Sequence, residues 1–276
     1  MHINHRCLTV FCFVLDYTKQ RATRKILKGK IIKMIQSLYT IVKNKQIADN
    51  TYEMILSGNT DEITAPGQFI NIKIDGFFLR RPISICDYDD SSITIIYKAV
   101  GEGTEALSKM QVGERLDVLV SLGNGYNIAK SGATPVLIGG GCGVPPLYNL
   151  CKSLKSEGKT VTVILGFNCK SEVFYEEKFK QIADEVFVTT VDGSHGTKGF
   201  VTDILKDISY SYFFTCGPMP MFNAIEKTAS TSGQFSFEER MGCGFGACMG
   251  CTCKTKYGNK RICKDGPVLE REEIVW

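Results

Sequence analysis

Five of the twelve cysteines in the 276-residue chain, Cys243, Cys248, Cys251, Cys253 and Cys263, crowd into one C-terminal stretch. Uneven clustering of this kind points to metal ligation rather than to a disulfide framework. The string Cys243-Gly-Phe-Gly-Ala-Cys248-Met-Gly-Cys251, with Cys263 beyond it, reads C-x4-C-x2-C…C, the spacing of a plant-type [2Fe–2S] cluster. Four thiolates must then reach two irons from one short loop, and the sulfurs need backbone N–H donors around them. Glycines at 242, 244, 246 and 250 let the backbone wrap that closely. Structural zinc is the competing reading. It usually takes two short Cys pairs or a Cys/His mixture, and no histidine lies near this loop. Cys253 is a spare thiol whose offset from Cys251 fits the pattern less well. The expected ligands are therefore Cys243, Cys248, Cys251 and Cys263, with Cys253 a small buried side chain.

A second chemistry-bearing segment is Val136-Leu-Ile-Gly139-Gly140-Gly141-Cys142-Gly143-Val144-Pro145-Pro146, a strand, a glycine turn and a helix start. Such a turn brings main-chain N–H groups to phosphates at a helix N-terminus. It departs from G-x-G-x-x-G, since Pro146 occupies the last glycine's place, and a structural tight turn is the plainer alternative. Cys216-Gly217-Pro218 and Asp192-Gly193-Ser194 end two later strands, so all three turns are expected along one crevice outside the carboxyl ends of a sheet. Gly140, Gly141, Gly143, Cys216, Gly217 and Pro218 are the candidate nucleotide-binding residues. The strand ending in Gly166-Phe167-Asn168 has no acidic residue at its tip and no arginine cluster after it, which leans towards NAD over NADP. Further upstream, Arg80-Arg81-Pro82-Ile83-Ser84 precedes Tyr97-Lys98 and a Gly101-Glu-Gly103-Thr104 turn. An arginine and a serine at a strand start can hold a pyrophosphate, the turn's N–H groups can join them, and Tyr97 can stack on a ring.

The elements that must position these residues fall into two patterns. From Ser37 to about Ile128 the chain reads as short strands, Tyr39–Lys45, Tyr52–Ser57, Gln68–Ile74, Ile83–Asp87, Ile93–Val100 and Leu116–Leu119, with one helix over Glu102–Met110. Short strands with close turns predict a barrel. After about Gly132 strands and helices alternate: strands at Pro135–Gly139, Thr160–Phe167, Glu185–Val191 and Tyr212–Cys216, helices at Pro145–Leu154, Glu172–Ile182, Val201–Leu205 and Met219–Thr228. That alternation predicts a doubly wound parallel sheet, with a last strand at Phe235–Phe237. The fold class is thus a β barrel plus α/β, in segments 34–130, 131–233 and a small Cys-rich 234–276. Residues 1–33 read as an extension. Their apolar run Cys7–Leu15 is too short to span a membrane, and a signal-peptide reading fails on the placement of its basic residues. The net charge of +4 and the absence of a basic stripe give no argument for nucleic acid. Chain length and the dinucleotide-type turns suggest a reducing cytoplasm, where disulfides are rare.

Arg81-Pro82-Ile83-Ser84, Gly139–Pro146, Cys216-Gly217-Pro218, Glu239-Arg240-Met241-Gly242-Cys243-Gly244-Phe245-Gly246-Ala247-Cys248 and Ile262-Cys263-Lys264-Asp265-Gly266-Pro267-Val268 together resemble the ferredoxin–NADP reductase superfamily. Within it the cysteine loop makes the chain similar to the family of electron transfer subunits of dihydroorotate dehydrogenase B, from about Met34 to the C-terminus. The resemblance implies a Greek-key FAD-binding barrel, an NAD-binding sheet and a [2Fe–2S] segment. It implies that Arg81, Pro82, Ile83, Ser84, Ile96, Tyr97, Lys98, Gly103 and Thr104 contact FAD. It also implies a partner, an FMN-containing catalytic subunit that interconverts dihydroorotate and orotate, in a heterotetramer of two of each. No acid–base residue for orotate chemistry is evident here, which suits an electron-transfer role in pyrimidine biosynthesis. The alternative is a related flavoprotein subunit of sulfide dehydrogenase, hydrogenase or bifurcating transhydrogenase type.

Overall fold

A computed structural model describes residues 23–27 and 30–276, so the Cys7–Leu15 run lies outside the described residues. Strand β1 (Thr23–Leu27) pairs antiparallel with the start of β2 (Lys30–Ala48), so strand pairing begins upstream of Met34. There follow β3 (Thr51–Ser57), β4 (Phe69–Lys73), β5 (Arg81–Tyr88), β6 (Ser92–Lys98), helix α1 (Glu102–Lys109) and β7 (Arg115–Leu122). The spatial order β2-β3-β6-β5-β4-β7, with β7 returning to β2, closes an antiparallel barrel. The β3-to-β4 and β6-to-β7 connections each skip two strands, a Greek-key arrangement. Alternating residues fill its interior: Ile70 and Ile72 of β4 and Ile93 and Ile95 of β6 are fully buried among Tyr39, Met54 and Leu56.

The second sheet is built from β8 (Pro135–Gly140), β9 (Thr162–Phe167), β10 (Glu185–Thr190), β11 (Thr197–Lys198), β12 (Tyr212–Cys216), β13 (Gly233–Ser236) and, after a two-stranded hairpin of β14 (Thr252–Thr255) and β15 (Gly258–Arg261), β16 (Val268–Glu270). Its order is β11-β10-β9-β8-β12-β13-β16, parallel except for β16. Helices α2 (Pro146–Ser156), α3 (Glu176–Lys180), α4 (Val201–Leu205) and α5 (Met219–Thr228) connect the strands, and α6 (Ile262–Asp265) follows the hairpin. Val136, Leu137, Ile138, Val163, Ile164 and Leu165 are fully buried, as expected of strands covered on both faces. The chain leaves β8 towards β9 on one side and reaches β12 on the other, so the switch point of the sheet lies at the end of β8. Phe69 and Leu122 of the barrel share a core with Phe237, Ile262 and Leu269, which seats the barrel against the C-terminal segment.

One expected helix is much shorter than its sequence reading. In place of Glu172–Ile182 there is a single 3-10 turn at Lys170–Glu172 and then α3 from Glu176. Tyr175 interrupts it with a left-handed φ of +63°. A tertiary contact holds it there: the Tyr175 hydroxyl donates to the Glu53 carboxylate of β3 at 2.7 Å. Glu53 is 3% exposed and is also bonded by Lys43 and by Lys178 at 2.8 Å. Burial pushes its carboxyl up, but the hydrogen bonds from Lys178, Lys43 and Tyr175 overcome this and bring it down to about 2. Replacing Glu53→Gln is expected to cost about 3 kcal/mol, the low end for one partner of a buried ion pair, because both lysines stay partly in water. The folded-state pKa lies below the ordinary carboxylate value of 4.5. The contribution is therefore present at neutral pH and lost as pH falls from about 4.5 to about 2. Urea denaturation of both proteins at neutral and acidic pH measures it; a difference that does not shrink on acidification contradicts the assignment.

Candidate functional site

The cysteine loop leaves β13 and folds around its own sulfurs. The Ala247 and Cys248 N–H groups donate to Cys243 Sγ at 3.2 and 3.4 Å, Gly250 N–H to Cys248 Sγ at 3.5 Å, and Cys263 N–H to Cys251 Sγ at 3.3 Å. The thiols perturb one another in two pairs, Cys243 with Cys248 and Cys251 with Cys263. Burial works against ionisation of Cys243, yet the N–H groups of Cys248, Phe245 and Ala247 bring its thiol down to about 6. Gly246 at φ +87° lets the loop turn over Lys264, and Arg261 ties it down, donating to Gly246 O at 2.8 Å while paired with Asp265 at 3.0 Å. Among the described residues no three His, Cys, Asp or Glu side chains converge on a single ion. Two thiol pairs ringed by N–H donors fit a two-iron cluster. Cys253 sits on β14 opposite Lys260, packed against the core that also holds Cys251 and Cys263.

A cavity of about 330 Å³ opens between the barrel and this segment. Pro82, Ile83, Ser84, Ile96, Tyr97, Lys98 and Thr104 line its barrel side, and Phe237, Glu238, Glu239, Met241 and Pro267 its other side. Arg81 and Gly103, each next in sequence to a lining residue, touch one another: a Cβ on Gly103 would lie 2.2 Å from Arg81 Nε. The Tyr97 ring is stacked on Tyr52 with centroids 5.7 Å apart, and its hydroxyl donates to Asn44 at 2.9 Å, so its face is fixed. The residues present fit a flavin dinucleotide: a cationic Arg81 against a glycine turn at one end, and an apolar wall of Ile83, Ile96 and Tyr97.

A second cavity of about 560 Å³ lies at the end of β8, over the switch point. Gly140, Gly141, Gly143, Gly217 and Pro218 line it, with Cys216 buried beneath. A Cβ on Gly143 would come within 2.1 Å of the Cys216 carbonyl oxygen, so these two turns touch through backbone alone. The third turn, expected in the same crevice, stays out of it. Asp192 accepts from the N–H and hydroxyl of Ser194 and closes the turn on itself, leaving Thr189 and Val191 at the strand's end to reach the cavity. The charged side chains lining this cavity are Glu172 and Glu238, with no lysine or arginine among them. No cationic side chain lines it to hold a 2′-phosphate, which suits NAD.

The two cavities share a wall. Cys142 and Glu238 line both. Lys98 of the first is paired with Glu172 of the second at 2.6 Å. Burial raises the Glu238 carboxyl above its ordinary value. Sequence reasoning did not single out Cys142, Glu172 or Glu238. Cys142 stands inside the glycine turn and Glu238 directly before the quoted Glu239–Cys248 motif, so position was the available signal.

Comparison with known proteins gives a consistent result. Residues 238–275 match the iron-sulfur cluster binding domain of dihydroorotate dehydrogenase B. The chain is 45% identical over 256 residues, 88% of this chain and 99% of the relative, to the dihydroorotate dehydrogenase B (NAD(+)) electron transfer subunit of Geobacillus sp. (strain WCH70). It is 46% identical over 251 residues, 85% of this chain and 96% of the relative, to that of Fusobacterium nucleatum. Among solved structures it superposes on a chain of the NADH-dependent reduced ferredoxin–NADP oxidoreductase with TM-score 0.78 and 29% identity, covering 87% of this chain and 90% of that one. Phthalate dioxygenase reductase shares the fold, with TM-score 0.61 at 13% identity over 75% and 70% of the two chains.

Proposed function

Because the chain belongs to the family of electron transfer subunits of NAD(+)-dependent dihydroorotate dehydrogenase B, we propose that its electrons run between an NAD site in the larger cavity and a cluster held by Cys243, Cys248, Cys251 and Cys263, by way of FAD in the smaller one. The observation that carries this order is the shared wall at Cys142 and Glu238, with the Glu239–Met241 run of the cysteine segment closing the far side of the flavin cavity. Bound FAD supplies the conversion between a two-electron hydride and single electrons, and the cluster the one-electron outlet. The chain's own residues bind and orient. Arg81, Ser84 and the Gly103–Thr104 turn hold the flavin's phosphates. Pro82, Ile83, Ile96, Tyr97 and Lys98 wall its ring system. Gly140, Gly141, Gly143 and the Cys216-Gly217-Pro218 turn admit the phosphates and nicotinamide of NAD against the shared wall.

The chain is the oxidoreductase component that links dihydroorotate oxidation to NAD in pyrimidine biosynthesis. The orotate chemistry belongs to a catalytic subunit carrying FMN, assembled with this one as two of each in the cytoplasm. No helix among the described residues is long and apolar enough to cross a membrane. Purified anaerobically, the protein should show flavin absorption and about two irons per chain. Mixed with its catalytic partner it should couple orotate formation to NAD reduction. A colourless protein, or a complex that oxidises dihydroorotate without reducing NAD, contradicts the reading. The solved reductase at 29% identity carries the rival reading of a bifurcating transhydrogenase subunit. Turnover with reduced ferredoxin and NADP, in place of dihydroorotate, would favour it.

A further inference from the structure

Asn71 lies on β4, where alternation sends Ile70 and Ile72 into the barrel and leaves Phe69 and Asn71 on the outer face. An amide there ordinarily sits in water. Asn71 is only 1% exposed, because the cysteine loop lies over it. Its Nδ2 donates to the main-chain carbonyl of Cys243 at 3.3 Å. Its Oδ1, equally buried, has no hydrogen-bond partner among the described residues. The loop is pressed onto the amide: a Cβ on Gly244, whose φ is +77°, would stand 2.3 Å from Nδ2. In the other direction Asn71 pairs in register with Pro82 of β5, and Pro82 lines the flavin cavity. One residue therefore joins the strand pair that walls the flavin to the first cysteine of the loop. A buried amide with one polar end unsatisfied is disfavoured relative to a leucine of similar shape, so packing alone does not account for it.

Resting on the function proposed above, the geometry points to Asn71 as a positioning residue for electron transfer. Its amide fixes the Cys243 main chain against the flavin-bearing strand pair. It thereby sets the separation across which one electron leaves reduced flavin, which is oxidised by one electron, and enters the cluster, which is reduced by one. NADH is the reductant, and no bond or proton changes at Asn71 itself.

The test uses the full chain loaded with FAD and iron. Asn71→Leu removes donor and orphan acceptor at nearly constant shape. Asn71→Asp keeps the shape and replaces the donor with a negative charge. The Leu variant should unfold no earlier than wild type. Its reduced cluster should show a shifted EPR spectrum, and stopped-flow reduction of the cluster by NADH should slow by about tenfold to a hundredfold, after an unslowed flavin phase. The Asp variant should lower the cluster's potential, since added negative charge favours the oxidised form. Iron loss with flavin retained in the Leu variant also supports the role. If the Leu variant does not fold, the direction of the Asp shift decides. Wild-type spectrum, potential and transfer rate in the folded variants overturn the role of Asn71 alone. Wild-type protein without flavin or iron overturns the function on which it rests, and this role with it.

Discussion

Cys263→Ser is expected to yield a protein that retains flavin but no cluster, with partner-linked NAD reduction down by at least about a hundredfold, while Cys253→Ser keeps both. Both cysteines lie within reach of Cys251 along the chain, and their surroundings separate them. Cys263 is 2% exposed and donates its N–H to Cys251 Sγ. Burial, then the Cys251 thiol, then the charge on Cys243 push the Cys263 thiol up to about 12. Apart from burial, these are two of the other expected ligands, and iron reverses their mutual repulsion. Cys253 is raised by burial and then by Glu239 and Glu273, carboxylates that would repel an anionic cluster. Iron analysis and EPR of the reduced proteins measure the contrast. Equal iron in the two variants would remove Cys263 from the ligand set.

Gly143→Ala is expected to weaken NAD binding by about tenfold to a hundredfold and to lower stability by about 1–3 kcal/mol, the range for an overpacked contact that the backbone must absorb. The added Cβ would lie 2.1 Å from Cys216 O and 2.3 Å from Cys216 C, so it meets main chain rather than a side chain that can rotate away. Relief comes only by parting the two turns that line the nucleotide cavity. Flavin and iron contents should stay at wild-type levels, because Gly143 does not line the smaller cavity. NADH-dependent reduction of ferricyanide, compared with reduction of the flavin by dithionite, isolates the nucleotide step. A Gly143→Ala protein with an unchanged KM for NADH would place the phosphates elsewhere.

What could be read from the sequence was short-range. Cys243, Cys248 and Cys251 declare themselves within nine consecutive positions, and the Gly139–Pro146 turn within eight. The alternation of strands and helices after Gly132 foretold the parallel sheet, since each apolar run had to be covered on both faces. The contacts that bring these parts to one place join residues far apart, and no motif marks them. Asn124 takes the Val268 N–H at 3.1 Å and gives its own amide to Val268 O at 2.8 Å, tying the end of the barrel to the C-terminal segment. Glu53 reshapes α3 through Tyr175, which is why a periodic helix over Glu172–Ile182 broke at its start. Asn71 and Glu238 matter through what lies against them, and a single sequence carries no sign of that. The strand β16 was also hidden: three residues show no period, and pairing with β13 alone defines it.

That pairing has a topological consequence. Ser236 at the end of β13 lies opposite Val268 at the start of β16, so the chain enters and leaves the cysteine segment at adjacent positions of one sheet. The segment is in effect an insertion with a fixed footprint. Because the ends of such a loop are already together, lengthening it adds only a logarithmic entropic term, about 0.6 kcal/mol per doubling. Residues can thus be added at the β14–β15 turn, where Tyr257 is exposed, without moving either end. The anchored parts are those that touch the rest of the molecule: Cys243 on Asn71, Pro267 at the flavin cavity, and the flank of the hairpin turn, where Thr255 bridges Ile274 and the Lys256 N–H donates to Glu273 O at 2.8 Å. The exposed turn at Tyr257 is where this protein can accept an inserted tag, label or graft with least disturbance to its wiring.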